Sequence, residues 1–193
     1  MKKIFSIILI ILLTPNISLS KNIKEAYFAG GCFWCMEDFF EQVKGVEEVI
    51  SGYSGGDVEN PTYKEVTYGN TGHFETAKII YDEDIINYKK LLNFYWQNID
   101  PFDSAGQFCD KGSSYRSVAF YKTPNEKDQI KNSIKNIEKQ FKDKKVVTFI
   151  RKFEKFYTAE DYHQDYYQEN FMNYLLYKKA CGREQALKNI WNN

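Results

Sequence analysis

Histidine is almost missing from this sequence, with only His73 and His163 among 193 residues, and no HxxxH spacing or second CxxC accompanies the one CxxC. Zinc takes four ligands at close spacing, and the two remaining cysteines, Cys109 and Cys181, lie 72 residues apart, so the pattern argues against a metal. An excess of one charge is missing too. With 26 basic and 26 acidic side chains, the chain has no field to steer a polyanion, and nucleic acid is not an expected partner. Internal repeats and low-complexity linkers are also lacking, which makes one domain the simplest organisation. The longest apolar run, Ile4 to Leu13, is short for a membrane-spanning helix.

That run has an address rather than a fold to explain it. Lys2 and Lys3 precede it, and Ser18-Leu19-Ser20 follows as a small-x-small cleavage site, so residues 1–20 read as a secretory signal peptide. An uncleaved anchor is the competing reading. Cleavage leaves 173 residues carrying 24 basic and 26 acidic side chains, working in the periplasm or outside the cell without stable membrane insertion. Cysteines can pair there, and Cys32, Cys35, Cys109 and Cys181 allow three full pairings among which sequence does not choose. A disulfide scaffold would be shorter and richer in cysteine.

What is abundant is aromatic: 15 Phe, 15 Tyr and 3 Trp. Two of these rings, Phe33 and Trp34, stand between Cys32 and Cys35 in Gly30-Gly31-Cys32-Phe33-Trp34-Cys35. Met36, Phe40 and Val43 then recur at helical spacing, so Cys32 is expected where a strand or loop passes into a helix. Unpaired N–H groups at a helix start favour negative charge, which makes Cys32 the candidate nucleophile. Cys35, one turn on, lies about 5–6 Å away between Cβ atoms, within reach of a disulfide after modest adjustment. A plain buried cysteine in a core helix is the bland alternative.

The rest of the chain alternates short strands and helices. Strands are expected at Lys24–Ala29, Val46–Tyr53, His73–Tyr81, Ser117–Tyr121 and Val146–Ile150. Helices are expected from Cys32 to about Lys44, over Tyr88–Asn98, and from Pro124 to about Lys142 behind a Thr123 cap. Asp57–Gly72, with Tyr63, and Asp100–Arg116, with Cys109, Asp110 and Tyr115, read as long polar loops of the functional kind. Glu75 shares a strand face with Ala77 and Ile79; if that face is buried, its pKa should rise. His163, among aromatics, reads as a hydrogen-bonded structural residue, as does His73. Cys181-Gly182 marks a break between two helical stretches in the tail from Tyr174 to Trp191.

Taken in order, Gly31-Cys32-Phe33-Trp34, Gly52-Tyr53 with Gly55-Gly56, Asn60-Pro61-Thr62-Tyr63, Thr71-Gly72-His73-Phe74-Glu75, Asp100-Pro101, Asp110 to Ser117 and Tyr162-His163-Gln164 resemble the peptide methionine sulfoxide reductase A family. The likeness covers residues 26 to 170. It implies an α+β fold, a ferredoxin-like two-layer sandwich with a mixed sheet and here a long C-terminal extension. It implies thiol-dependent reduction of methionine S-sulfoxide, free or in proteins, without metal or organic cofactor. Cys32 would be the nucleophile that becomes a sulfenic acid. Phe33 and Trp34 would hold the methyl group, Glu75 would donate the proton, Tyr63 and Tyr115 would hydrogen-bond the oxygen, and Asp110 would be the active-site carboxylate.

The pattern departs from the family at recycling. Family members commonly carry a resolving cysteine in a glycine-rich tail, whereas here the tail around Cys181 is helix-forming and Cys35 replaces a frequent glycine. Proximity favours Cys35 as resolver, with Cys181 as alternative or second relay, and Cys109 has no assigned role. Thioredoxin or a thioredoxin-like periplasmic relay is the implied reductant, and a monomer is expected. A periplasmic thioredoxin-like disulfide oxidoreductase is the alternative, though Phe33 and Trp34 would obstruct exchange with diverse disulfides. A secreted binding protein would instead keep all four cysteines in inert disulfides.

Overall fold

A computed structural model describes residues 21–191; the expected signal peptide lies outside the described residues. Eight strands form: β1 (Ile23–Ala29), β2 (Val46–Ser54), β3 (Phe74–Asp82), β4 (Gly106–Gln107), β5 (Asp110–Lys111), β6 (Val118–Tyr121), β7 (Phe149–Lys152) and β8 (Phe156–Thr158). Six of them make a mixed sheet in the order β7-β6-β1-β3-β2-β8, antiparallel except for the β6–β7 pair. β4 and β5 form a separate small hairpin. The helices are α1 (Phe33–Glu41), α2 (Tyr63–Tyr68), α3 (Tyr88–Gln97), α4 (Pro124–Gln140), α5 (Tyr166–Glu169), α6 (Phe171–Cys181) and α7 (Arg183–Trp191). The architecture is α+β.

Side chains on a strand alternate between faces, and β1 sorts its residues accordingly. Ala26 and Phe28 join the large core with Met36 and Phe40 of α1 and Leu91, Leu92 and Tyr95 of α3; Tyr27 and Ala29 join a smaller cluster with Phe74, Val118 and Phe120 on the opposite face. Each of these large side chains, fully buried, contributes about 1.5–3 kcal/mol. The Tyr95 hydroxyl donates to the Ala29 carbonyl at 2.9 Å, so its burial leaves no orphaned polar group. This fixes the end of β1, and hence the entry to α1.

Three expectations about the fold change. The Asp100–Arg116 stretch is not simply loop, since it carries the β4–β5 hairpin and a 3-10 turn at Ser113–Tyr115. The Asp57–Gly72 stretch is not all loop: Tyr63–Tyr68 is helical, and Thr62 with Glu65 forms a reciprocal capping box. Thr62-x-x-Glu65 is the local signal for this turn of helix. The strand expected at Val146–Ile150 begins at Phe149 instead, because its register is set by pairing Val118 with Phe149 alongside β6, and a further strand, β8, follows it in the sheet. The asymmetric tail is as read, with α6 and α7 meeting at Gly182, whose φ of +67° suits glycine.

Candidate active site

Cys32 is the N-cap residue of α1, reached through Gly31 at φ +83°. A Cβ at Gly31 would lie 2.6 Å from Gln107 Cβ, so the close approach of this loop to β4 requires glycine. The first free amide of the helix, Phe33 N–H, donates to Glu75 Oε2 at 3.1 Å. Glu75 thus caps α1 from β3, the expected face of Ala77 and Ile79 being fully buried. Burial raises the Glu75 carboxyl to about 8; Asp110 and Cys35 add to the rise, while the Phe33 amide and the Tyr115 hydroxyl oppose it. At pH 7 Glu75 is a neutral acid at the mouth of α1.

Tyr63 comes from the first turn of α2, whose amide donates to Glu160 Oε1 at 2.8 Å; the other oxygen of Glu160 accepts from Tyr53 at 2.8 Å. Tyr115 closes a 3-10 turn over Ser113–Tyr115, and the two hydroxyls stand 3.5 Å apart. Burial raises both phenols, so both remain donors. Asp110, on β5, accepts from the Tyr177 hydroxyl at 2.6 Å. Burial raises its carboxyl, against the pull of Tyr177, Arg183 and the Cys32 amide.

Phe33 and Trp34 divide their work. Phe33 is fully buried against Tyr53, Val66 and Ala159, with Tyr63 packed alongside; it is a floor. Trp34 is half-buried and stacks on Tyr166 at 3.8 Å between ring centroids. His163 joins them, 4.4 Å from the Tyr63 ring and 5.0 Å from the Phe33 ring. It is not the hydrogen-bonded residue expected, since neither ring nitrogen has a partner among the described residues, and burial lowers its pKa. The imidazole is therefore neutral and lines the aromatic cluster.

The thiols depart from the expected simple picture. Cys32 and Cys35 are both free and buried, covered by Tyr174 and Tyr177 of α6. Burial raises the Cys32 thiol, with the Cys35 sulfur, Glu75 and Asp110 adding to it, and this outweighs the helix start. Cys35 moves down, held by a hydrogen bond from Cys32 and by the Arg183 cation. Cys32 and Cys35 therefore titrate as a coupled pair. Cys109 and Cys181 form a disulfide, so neither is a free thiol here.

Among the described residues, two clusters have the ligand types for a metal. Cys109, Asp110 and Cys181 lie close together, but their sulfurs are bonded to each other. Glu37, Glu41 and Asp165 form the second, in which the Glu37 carboxyl accepts from the Asp165 amide at 3.1 Å and burial raises it to about 8. The first set shares Asp110 with the site, where the Cys32 amide is among the groups that lower its carboxyl.

A buried thiol pair, a neutral carboxylic acid, two phenol donors and an aromatic wall suit attack on a polar sulfur centre with protonation of its oxygen. The family model for peptide methionine sulfoxide reductase matches residues 24–193. This chain belongs to that family. The MsrA of Listeria monocytogenes serotype 4b is 46% identical over 172 residues, covering 89% of this chain and 97% of its own. The MsrA of Bacillus velezensis is 45% identical over 177 residues, covering 91% and 99%. The MsrA/MsrB protein of Vibrio cholerae matches at 44% over 90% of this chain and 46% of its own length. Among solved structures, reduced Mxr1 of Saccharomyces cerevisiae superposes with a TM-score of 0.72 at 27% identity, over 77% of this chain and 86% of that one. The methionine sulfoxide reductase A of Corynebacterium diphtheriae superposes at 0.70 with 27% identity, over 77% and 76%. The enzyme is a peptide methionine sulfoxide reductase, and it reduces methionine sulfoxide.

In this methionine sulfoxide reductase, Cys32, Phe33, Trp34, Cys35, Tyr63, Glu75, Asp110 and Tyr115 converge from α1, α2, β3, β5 and the 3-10 turn. Cys181 does not join them; it is tied to the residue before Asp110. Sequence reasoning missed Tyr166 of α5 and Tyr174, Tyr177 and Arg183 of the tail. The signal for the tyrosines was their spacing, which carried no address until α6 folded back.

Proposed function

We propose that Cys32 passes its thiol proton to the Cys35 sulfur and attacks the sulfur of a methionine S-sulfoxide while Glu75 gives its proton to the oxygen, held by Tyr63 and Tyr115. The sulfur–oxygen bond of the substrate breaks, methionine leaves, and the hydroxyl remains on Cys32 as a sulfenic acid. The Cys35 thiol then attacks that sulfenic acid, expelling water and leaving a Cys32–Cys35 disulfide. A dithiol protein of the thioredoxin type reduces the disulfide and is itself oxidised. The observation that carries this reading is the buried, neutral Glu75 hydrogen-bonded to the amide beside Cys32. Trp34, with Tyr166, would face the S-methyl group over the Phe33 floor.

The thioredoxin assignment draws support from yeast Mxr1, whose structure has been determined in complex with Trx2. No metal or organic cofactor enters these steps. The strand order β6-β1-β3-β2, with α1 between β1 and β2 and α3 after β3, supports a ferredoxin-like core. We place the enzyme, as a single domain over residues 21–193 and a monomer, in the periplasm or outside the cell after removal of residues 1–20.

The test is an epimer-resolved assay with dithiothreitol on the wild type and Cys32→Ser side by side. The wild type should reduce the S epimer alone, and Cys32→Ser neither; equal rates on both epimers would refute the assignment. Peptide mapping after one turnover without reductant should find Cys32 linked to Cys35.

A further inference from the structure

Arg183 has no place in the reaction so far, yet it is among the most enclosed charges in the protein, 3% exposed. Its Nη2 donates to the carbonyls of Asn98 (2.6 Å) and Gly30 (3.2 Å) and lies 3.9 Å from Met36 Sδ. Its Nε has no partner, and it forms no ion pair with a carboxylate within 4 Å among the described residues. A buried cation with only two carbonyl acceptors is costly unless negative charge lies near. Gly30 and Met36 bracket the segment carrying Cys32 and Cys35, so the guanidinium sits beneath the turn that bears both thiols.

Three ties bring it there. Cys181, two residues before Arg183, is bonded to Cys109; the Arg183 guanidinium lies 4.7 Å over the Phe108 ring; and Tyr177 donates to Asp110. All three join the C-terminal arm to residues 108–110. The disulfide is the covalent one.

We propose that Arg183 is a positioning residue for the resolving step, stabilising negative charge on the Cys35 sulfur, and that the Cys109–Cys181 disulfide is the clamp that keeps it there rather than a relay for electrons. This rests on Cys35 as the resolving thiol. The groups facing Cys35 are Cys32 from the start of α1, Arg183 from α7, Tyr174 and Tyr177 from α6, Asp110 from β5 and Glu75 from β3. Of these only Arg183 carries positive charge. Its pull on Cys35 is downward, second only to the Cys32 hydrogen bond among the lowering influences. When Cys32 becomes a sulfenic acid that thiol donor is consumed, and the fixed cation remains.

The expected signature lies in pH rather than in rate at neutrality. A thiolate of higher pKa is rarer but more nucleophilic, with a Brønsted slope of about 0.4–0.5, so the two effects partly cancel at pH 7. The acid limb of the profile has no such compensation. We would follow loss of the Cys32 sulfenic acid by timed dimedone trapping after a single stoichiometric addition of methionine sulfoxide, from pH 4.5 to 9. Arg183→Gln should move the acid midpoint up by about one pH unit, a tenfold change in ionisation, and Arg183→Lys should hold it near the wild-type value. The double variant Cys109→Ser/Cys181→Ser should shift the midpoint as Arg183→Gln does. An unmoved midpoint in folded Arg183→Gln overturns the role of Arg183, and an unmoved midpoint in the double variant alone overturns the clamp. Should Arg183→Gln fail to fold, Arg183→Lys against the double variant decides the same question. Absence of a Cys32–Cys35 link in the wild-type peptide map would instead sink the resolving assignment, independently of these midpoints.

Discussion

Replacing Glu75 by Gln should make the enzyme nearly inactive and more stable at once. The amide oxygen of Gln can still accept from Phe33 N–H, now 3.1 Å from Glu75 Oε2, so the cap on α1 survives while the transferable proton is lost. General acid catalysis is worth about 10²–10⁴-fold, and the single-turnover release of methionine should fall by that factor. The wild-type rate should also decline above about pH 8 as Glu75 ionises, a limb that Glu75→Gln lacks. Stability moves oppositely. Because the folded-state pKa lies near 8 and the ordinary value is 4.5, the folded protein binds a proton that the unfolded chain has lost between those pH values. Wild-type stability therefore falls as pH rises through that window. At 1.36 kcal/mol per pH unit the full cost at pH 8 is at most about 5 kcal/mol. Glu37, also raised to about 8, contributes to the wild-type curve in the same direction, but it is common to both proteins and cancels in the difference. Urea unfolding of both proteins from pH 5 to 8.5 reads the difference directly. A stability gap that does not widen with pH, or a variant within a factor of ten of wild-type turnover, would refute the idea that Glu75 is held neutral for proton donation.

Tyr115→Phe removes one donor aimed at the leaving oxygen and should lower kcat by about 10–100-fold, the worth of a hydrogen bond to a charged acceptor, with the melting temperature little changed. Trp34→Ala opens the wall stacked on Tyr166; because a methyl group in an apolar pocket is worth about 1–3 kcal/mol, preference for methyl over ethyl sulfoxides should shrink, measured as the ratio of kcat/KM values. Cys109→Ser/Cys181→Ser opens a 72-residue link, and loop-closure entropy sets its cost at roughly 4 kcal/mol in urea unfolding. Thr62→Ala breaks the capping box that holds Tyr63 at the start of α2 and should cost about 1 kcal/mol, with a parallel rise in KM.

Local signals carried much of this far in advance. The helix after Cys32, the burial of Glu75 beside Ala77 and Ile79, and the Thr123-Pro124 start of α4 are short-range patterns, and each stands in the structure. The capping box at Thr62 is equally local, in a stretch that the turn residues Asn60-Pro61 and Gly69-Asn70 mark as loop. His163, Tyr166, Tyr177 and Arg183 were not legible as parts of the site, because their meaning depends on contacts spanning more than a hundred residues or on a pairing that sequence does not choose. Tyr174, for example, bonds Asp38 at 2.7 Å across 136 positions, and no periodicity encodes that. The ionisation of Cys32 was misjudged for a related reason: the helix start is local, whereas the carboxylates and the tail that bury the thiol arrive from elsewhere.

Those long-range arrivals decide how the site distributes charge. Cys32, Cys35, Glu75 and Asp110 are four acids in one enclosed volume; Arg183 acts on Cys35 and Asp110, and Lys111 acts on Asp110 as well. Unit charges a few ångströms apart repel by several kcal/mol at the effective dielectric of a protein interior, so the four cannot ionise together. Asp110 is relieved by Tyr177, by Arg183 and by the Cys32 amide, and Cys35 by Cys32 and Arg183; Glu75 has no cation and is left protonated. The neutral acid that the chemistry needs thus follows from the burial of Glu75 and from where the cations lie. Moving positive charge toward Glu75 would lower its pKa and remove the proton the reaction requires, whereas withdrawing Arg183 would leave Glu75 protonated and weaken the thiolate instead. Proton donation and disulfide formation are therefore separable by charge placement within a single enclosed site.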